Sequence, residues 1–333
     1  MLQEGGYSTG AFGKWHNTPI WEVSAVGPFK RWPTGLGFDH FYGFQGGSAN
    51  QYQPDLYNDT TLVEPDKTPE EGYTLTGDMV DKAVTWVDDH DAIDRQKPYF
   101  MYFAPGATHM PHHVPQSWTQ RYRGRFDMGW DVYREQTFER QKRAGIIPRD
   151  AKLTPRPSFV PPWSSLSEDQ RKLYLRHMEV YAGFLEQTDA EIGRLINTLN
   201  SRPGGDNLLV IFIVGDNGAS AEGTPDGAIN SELSLLQGAP NDLEAQLKVI
   251  DQLGGPELMD HYPAGWAWAM NTPLAGVKQM ASRFGGTRNA MVVNWPGHIA
   301  APGVMRPQFS HLNDIAPTIL DAAGVAFPDT IDG

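Results

Sequence analysis

Cysteine is absent from the 333-residue sequence. Its absence excludes disulfide bonds, thiolate metal sites and a cysteine nucleophile within this chain. Long apolar runs are also missing: no stretch reaches the roughly 18 residues of a membrane-spanning helix, and the first residues lack the basic and then apolar pattern of a secretory signal. We therefore expect a soluble protein without a membrane span. The sequence does not decide between a periplasmic and a cytoplasmic location.

Basic residues are scarce, since 27 Lys and Arg stand against 40 Asp and Glu, for a formal net charge of -13 at pH 7. A protein that binds nucleic acid needs a basic surface to neutralise phosphates, so we expect no nucleic-acid partner. The net charge does not exclude a small anionic substrate, because the field at short range is set by neighbouring groups. The oligomeric state stays open.

Three short apolar runs predict β-strands. The clearest, LLVIFIV at 208–214, is rich in β-branched residues and too short for a helix, which is typical of a central strand in a parallel sheet. The runs at 98–105 and 290–297 end in proline and in Pro-Gly. We expect all three strands to share one covered sheet.

Apolar residues at helical spacing predict three helices, at 76–90, 167–200 and 311–325. Thr76 is expected to cap the first, and Ser167 with Gln170 forms a capping box for the second. The second helix leads into the 208–214 strand, which is the order of a doubly wound fold. The predicted fold is therefore α/β, with a mainly parallel sheet and helices on both faces.

Three stretches rich in proline and glycine separate these elements, at 20–72, 112–166 and 219–272. They contain no clear repeat and are longer than ordinary connections. We expect them to wall a binding site or to cover an oligomer surface.

Asp216 and Asn217 follow the 208–214 strand in the sequence GDNG. Ligands of open parallel sheets bind beyond the carboxyl ends of the strands, and two hard oxygen ligands in a tight turn suit Ca²⁺ or Mg²⁺. A lone Asp-Asn-Gly is more often a simple Asx turn. The position after the most apolar strand favours a metal site.

His109 follows the 98–105 strand. A histidine a few residues beyond a buried strand can donate to an anionic oxygen or act as a general acid. His112 and His113 lie in the same segment, and we expect these two to be surface loop residues.

Lys14 and His16 lie in GAFGKWH, near the start of the chain. In an extended segment their side chains point the same way and form a cationic patch. The alternative is a solvated lysine beside a packed histidine. Lys278 has apolar neighbours, Val277 and Met280, so its ammonium is expected to be partly desolvated and to face the same pocket.

The sequence resembles the sulfatase family, most closely the bacterial-type arylsulfatases of the alkaline-phosphatase-like superfamily. The resemblance extends over 5–328 and is carried, in order, by GYSTGAFGKWH, PYFMYFAPGATHMPHH, LLVIFIVGDNGAS and TPLAGVKQMASRFGGTRNAMVVNWPG. Four motifs in the family's order are more specific than any one of them. The later segment SHLNDIAPTILDAAG resembles a helix of the same family.

The resemblance implies a role for each candidate residue. Lys14 and His16 match the residues that hold sulfate oxygens, and Lys278 matches a second lysine that contacts sulfate. His109 matches the histidine that contacts the ester and can protonate the leaving oxygen. Asp216 and Asn217 match the second half of a Ca²⁺ site, which Mg²⁺ can also occupy.

One feature of the family is not found. Sulfatases attack with a formylglycine made from Cys or Ser in a C/S-x-P-x-R motif, whereas the S-x-P at 201–203 ends a helix and is followed by Gly205 in place of Arg. We therefore expect 1–333 to be the central part of one sulfatase catalytic domain. On this hypothesis the N-terminal strand with the nucleophile, half of the metal site and the C-terminal subdomain are missing, and this fragment alone is inactive.

The resemblance thus implies an arylsulfatase-like hydrolase of small sulfate monoesters. A hydrolase of phosphonate monoesters or phosphodiesters from the same superfamily is the alternative enzyme. An inactive protein that binds an anion at Lys14, His16, His109 and Lys278 is the alternative of another class.

Overall fold

The computed structural model describes residues 1–300, 303–328 and 330. The chain forms two compact units. Unit 1 comprises Met1–Ala49, Gln53–Gly106 and the described residues of Gly303–Gly333, and unit 2 comprises Asn50–Tyr52 and the described residues of Ala107–Pro302. Residues 301–302, 329 and 331–333 lie outside the described residues.

Unit 1 contains a five-stranded mixed sheet. Its strands are β1 (Ser8–Lys14), β2 (His40–Phe44), β3 (Leu56–Asn58), β4 (Thr61–Val63) and β5 (Tyr99–Ala104). The order is β4-β3-β2-β1-β5. Strand β1 is parallel to both of its neighbours, whereas β3 and β4 run antiparallel. The 98–105 run is therefore a strand, as predicted, in a parallel β2-β1-β5 centre.

Helix α1 (Leu75–Asp94) packs on this sheet. Its apolar stripe is fully buried at Met79, Val80, Ala83 and Val87. Trp86 of the helix lies edge-on to Phe12 of β1, with ring centroids 5.8 Å apart. The predicted helix is confirmed, but Thr74 and not Thr76 is its N-cap, because Leu75 is fully buried and extends the first turn.

Unit 2 contains most of the helices. They are α2 (Gln116–Thr119), α3 (Gly129–Arg143), α4 (Glu168–Asn200), α5 (Ser231–Gln237), α6 (Leu243–Lys248), α7 (Ala264–Met270) and α8 (Phe284–Thr287). Helix α4 begins with the predicted reciprocal capping box of Ser167 and Gln170. In the described part of the chain, no helix combines the length and the apolar character that crossing a membrane requires.

Aromatic residues form the core of unit 2. Trp130 stacks on Tyr174 of α4 at 5.9 Å between centroids, and Trp266 lies edge-on to Trp130 at 6.0 Å. The Trp266 indole donates to the Tyr174 carbonyl at 2.9 Å. Trp130 and Trp266, from the stretches 112–166 and 219–272, are thus fully buried against α4, so both stretches contribute to the core of unit 2.

Arg134 of α3 is fully buried in this core. Its guanidinium donates to the carbonyls of Trp268 (2.7 Å), Pro273 (3.2 Å) and Leu274 (3.1 Å) and to the Thr154 hydroxyl (2.6 Å). Burial lowers the pKa of Arg134 to about 10. The side chain therefore joins α3 to the segment that follows α7 through oxygen acceptors.

The other two predicted strands form a separate two-stranded sheet in unit 2. Strand β6 (Val210–Val214) pairs antiparallel with β7 (Ala290–Asn294). All five β7 residues are exposed, and Val214 of β6 is 42% exposed. The prediction that all three runs share one covered sheet is wrong, since the 98–105 run lies in the sheet of unit 1. Apolar, β-branched composition indicates a strand but does not specify its partner.

Helix α9 (Ile315–Ala322) returns to unit 1. Asp314 is its N-cap and Pro317 lies in its first turn, so the helix predicted within 311–325 is confirmed. The Tyr7 hydroxyl donates to the Ala323 carbonyl at 3.1 Å, which attaches the helix end to the start of the chain.

Candidate functional site

Lys14 is the last residue of β1 and is paired with Phe44 of β2. Gly13, immediately before it, has φ 107°, and a Cβ there would lie 2.0 Å from the Ala104 carbonyl oxygen. Only glycine permits this approach of the strand ends. The side chain of Lys14 therefore begins at the carboxyl end of the central parallel strand, where ligands of such sheets bind.

His16 departs from the extended backbone, with φ 51°. The extended segment ends at Lys14. The prediction that the side chains of Lys14 and His16 point the same way from one extended segment is therefore wrong. The imidazole is held against Gly47, since a Cβ on that glycine would lie 2.9 Å from the His16 Cε1 atom. Both candidate residues belong to unit 1.

His109 and Lys278 meet in unit 2, although 169 positions separate them. The Lys278 Nζ atom lies 2.9 Å from His109 Nε2 and 2.8 Å from Glu222 Oε2. The Lys278 side chain is 15% exposed and that of Glu222 is 12% exposed. The ammonium is thus partly desolvated, as its apolar neighbours predicted, and lies between an imidazole and a carboxylate.

Glu222 is the residue of this cluster that sequence reasoning missed. Its Oε2 also accepts from the Ser220 hydroxyl at 2.7 Å, and its Oε1 accepts from the Gln279 amide at 2.9 Å. Burial alone would raise the pKa of Glu222, but the hydrogen bonds from Lys278 and Ser220 and the nearby positive charge lower it overall. The sequence does place this acidic residue shortly after GDNG. It could have been considered as an ion-pair partner for the candidate lysine, Lys278.

The hydrogen-bond partners assign the proton on His109. Its Nδ1 lies 3.2 Å from the Met110 carbonyl oxygen, which can only accept, so Nδ1 carries the hydrogen. Lys278, paired with a carboxylate, is an ammonium and donates to Nε2. His109 is therefore the neutral Nδ1–H tautomer, with its Nε2 lone pair directed at a cation.

Asp216 and Asn217 form a glycine-flanked turn after β6. Gly218 has φ 81°, and its N–H donates to the Gly215 carbonyl at 2.9 Å. The Asn289 amide donates to the Asp216 carbonyl at 2.8 Å, and the Asn217 amide donates to Asp216 Oδ2 at 3.3 Å. The turn is anchored to the Lys278 loop, because the Lys278 N–H donates to the carbonyl of Ala219 at 2.9 Å.

This pair does not by itself fit a calcium ion. The two residues have three side-chain oxygens between them, short of the roughly six to eight that Ca²⁺ takes in protein sites, and the Asn217 amide presents its nitrogen to the carboxylate. Across residues 1–300, 303–328 and 330, no group of three His, Cys, Asp or Glu side chains is arranged to hold a metal ion. Asp216 and Asn217 supply at most two ligands.

His112 and His113 are buried, 1% and 2% exposed, so the prediction that they are surface loop residues is wrong. His113 Nε2 donates to the Leu258 carbonyl at 2.6 Å. His112 stacks on Tyr262 with centroids 5.0 Å apart and lies 4.7 Å from the ring of His261. Burial and the aromatic contacts make both of them core residues of unit 2.

Ser201, the serine of the S-x-P sequence, caps the C-terminus of α4. Its hydroxyl donates to the Thr198 carbonyl at 2.8 Å. The residue thus has a local role in ending the helix, as its position in the sequence indicated.

Comparison with known proteins decides the family. The sulfatase family model matches residues 1–325. The chain belongs to the sulfatase family. The resemblance found in the sequence motifs is therefore confirmed.

Two sulfatase relatives span almost the whole chain. It is 28% identical over 338 residues to an arylsulfatase of Klebsiella aerogenes, covering 97% of this chain and 67% of that protein. It is 29% identical over 343 residues to an uncharacterised sulfatase of Schizosaccharomyces pombe, covering 98% of this chain and 58% of that protein. The chain thus spans about three fifths to two thirds of the length of these sulfatases.

A solved structure shows the same fold. BT4656, determined in complex with its substrate D-glucosamine-2-N,6-O-disulfate, matches with a TM-score of 0.55 and 18% identity, over 100% of this chain and 61% of that chain. The α/β fold class predicted from the sequence is confirmed at this level, with a mixed sheet.

Proposed function

We propose that the protein hydrolyses sulfate monoesters of the arylsulfatase type and that His109 and Lys278 of unit 2 contact the sulfate group. Lys14 and His16 of unit 1 are proposed as sulfate-binding residues on their sequence motif alone. The observation that carries the proposal is the contact between Lys278 and His109 at 2.9 Å. These two residues, which come from different motifs of the sequence, adjoin in a partly desolvated cluster.

The chemistry of sulfuryl transfer suits these residues. Negative charge develops on the sulfate oxygens, and cations fixed in a site of low water content stabilise it without reorganising. An ammonium has three N–H groups. Glu222 and His109 engage two of those of Lys278, and the third suits a sulfate oxygen. To protonate a leaving oxygen, His109 must first gain a proton at Nε2.

Sulfatases generally use a metal ion and a formylglycine. A metal bound beside the sulfate would polarise the sulfuryl group, and Asp216 and Asn217 are proposed as two of its ligands, with Ca²⁺ as the first candidate and Mg²⁺ as the second. The roles proposed for this chain are confined to binding, neutralising and orienting the sulfate group. The substrate is a small sulfate ester.

Anion titration and turnover together test the proposal. Inorganic sulfate and 4-nitrophenyl sulfate are titrated calorimetrically into the 333-residue chain and into Lys278→Ala and His109→Ala. We expect each variant to bind about tenfold more weakly, as for the loss of one charge-assisted hydrogen bond. Lys248→Ala is the matched control, because Lys248 is 69% exposed in the same unit and forms an ion pair with its helical neighbour Glu244.

The outcomes separate the three candidate functions. Unchanged affinity in both site variants would overturn the proposed sulfate site. Turnover of bis(4-nitrophenyl) phosphate far above that of 4-nitrophenyl sulfate would identify a phosphodiesterase instead. Because the C/S-x-P-x-R motif of the sulfatase nucleophile is absent from this sequence, sulfate binding without turnover is expected both of a sulfatase and of an anion-binding protein, whereas turnover by the 333-residue chain would exclude the anion-binding protein.

A further inference from the structure

We infer that Glu222 is a positioning residue: its carboxylate holds the Lys278 ammonium against His109 Nε2 and so fixes which ring nitrogen of His109 carries the proton. The value of this arrangement to catalysis rests on the proposed function. The proton placement itself is a property of the folded chain and is measured without turnover.

The Glu222 carboxylate is held from three sides. It accepts from the Lys278 ammonium at 2.8 Å, the Ser220 hydroxyl at 2.7 Å and the Gln279 amide at 2.9 Å. The Glu222 N–H donates back to the Ser220 hydroxyl at 3.1 Å, which closes a tight local loop. The carboxylate therefore has little freedom to leave the ammonium.

The backbone on either side of Glu222 is anchored in the core. The Ser220 N–H donates to the hydroxyl of Tyr262, which is 2% exposed, at 3.1 Å. At Gly223, a Cβ would lie 2.0 Å from the Tyr262 carbonyl oxygen, so the chain passes in direct contact with that residue. Because the Lys278 N–H is bonded to Ala219 of the same loop, the carboxylate and the lysine backbone share one support.

The carboxylate determines which nitrogen of His109 carries the proton, because it holds the Lys278 ammonium in place. A neutral imidazole whose Nε2 lies 2.9 Å from an ammonium is favoured with that nitrogen unprotonated, since an Nε2–H would face the N–H groups of the cation. The negative charge 2.8 Å from Nζ keeps the ammonium at this position. The His109 Nε2 lone pair then accepts from Lys278, and Nδ1–H donates to Met110. Without the carboxylate, this preference weakens.

Nuclear magnetic resonance of the 333-residue chain, with ¹⁵N-labelled histidine, reports the tautomer of each ring. In the unmodified chain we expect His109 in the Nδ1–H form. In Glu222→Gln we expect about a tenfold change in the ratio of the two tautomers towards Nε2–H, the effect of losing one charge-assisted hydrogen bond. Glu257→Gln is the matched control, because Glu257 is an exposed glutamate of the same unit, and it should leave the His109 signals unchanged.

His113 is an internal reference for folding. Its Nε2 donates to the Leu258 carbonyl, so it is the opposite tautomer, and its signals should persist in every variant. Lys278→Ala should reproduce the effect of Glu222→Gln, and the double variant should add nothing, because Glu222 acts through Lys278. Retention of the Nδ1–H form of His109 in Glu222→Gln would overturn the inference. If Glu222→Gln changes the His113 signals, and so the fold, the tautomer of His109 is measured in Lys278→Ala instead. Retention of the Nδ1–H form in that variant would then overturn the inference.

Failure of the proposed function is visible separately. Inorganic sulfate added to the unmodified chain should shift the signals of His109. Absence of these shifts would refute sulfate binding at this cluster. It would not affect the inference about Glu222, which is tested by the tautomer of His109 in the variants.

Discussion

Acidification should destabilise unit 2, because four of its histidines are buried as neutral rings. Burial lowers the pKa of His177 to about 3 and the pKa values of His113 and His261 to about 4. Burial, with neighbouring histidines, also lowers the pKa of His112 well below its usual value. Among the described residues, neither His177 Nδ1 nor His112 Nδ1 has a hydrogen-bond partner, so a second ring proton there would find no acceptor.

The change in the free energy of unfolding with pH follows from the difference between the folded and unfolded pKa values. Each of these rings stays neutral when folded but takes up a proton on unfolding below pH 6.5, so its stabilising contribution is present above that pH and is lost as the pH falls towards the folded pKa. Between pH 7 and pH 5 the loss is about 2 kcal/mol for each ring, or about 6 kcal/mol for His113, His177 and His261 together.

Asp260 acts in the opposite direction. Burial raises the pKa of this carboxyl to about 7, so its contribution to stability is present at low pH and is lost as the pH rises through that value. Lowering the pH from 7 to 5 therefore returns about 2 kcal/mol. The expected net loss is about 4 kcal/mol, which is a large part of the stability of an ordinary domain.

Urea unfolding at pH 7 and pH 5, followed by tryptophan fluorescence, measures this loss by linear extrapolation. The variant His177→Gln keeps a side chain able to bond Gln246, the partner of His177 at 3.4 Å, and removes one titrating ring. It should lose about 2 kcal/mol less than the unmodified chain over the same interval. His298→Gln, at an exposed histidine, is the control and should behave like the unmodified chain. Equal free energies of unfolding at the two pH values would refute the reasoning.

Two further substitutions test the packing beneath the candidate site and in the core. Gly47→Ala should displace the His16 ring, since the added Cβ would lie 2.9 Å from Cε1. Histidine NMR detects the displacement as a change in the chemical shifts of His16, and unchanged shifts would contradict the contact. Arg134→Met should cost about 3 kcal/mol or more, because it leaves buried carbonyls without donors. Urea unfolding at pH 7 measures this cost, and a loss below about 1 kcal/mol would show that those carbonyls find other partners.

Local signals predicted the secondary structure well. Helix α4 follows from the Ser167 and Gln170 capping box, and α9 from the apolar spacing within 311–325, because caps and apolar spacing act over a few residues. The strand identities of 210–214 and 290–294 were also predicted. Their pairing with each other was not, since strand partners are chosen by contacts between distant parts of the chain.

The candidate site divides in the same way. His109 and Lys278 were predicted to face one pocket from their motifs, and the structure brings their side chains together. Glu222 carries no motif of its own, so only the fold reveals that its carboxylate reaches Lys278. The prediction for His16 assumed an extended backbone, but its φ is 51°. This turn could not be predicted from the sequence of the segment.

By itself, the amino-acid sequence determined the sulfatase family, the main helices and the candidate sulfate-binding residues, because each depends on side-chain chemistry and short-range spacing. Tertiary structure alone decided which strands pair, which histidines are buried and neutral, and which nitrogen of His109 carries a proton. Those properties depend on desolvation and on hydrogen-bond partners brought together from far apart in the chain.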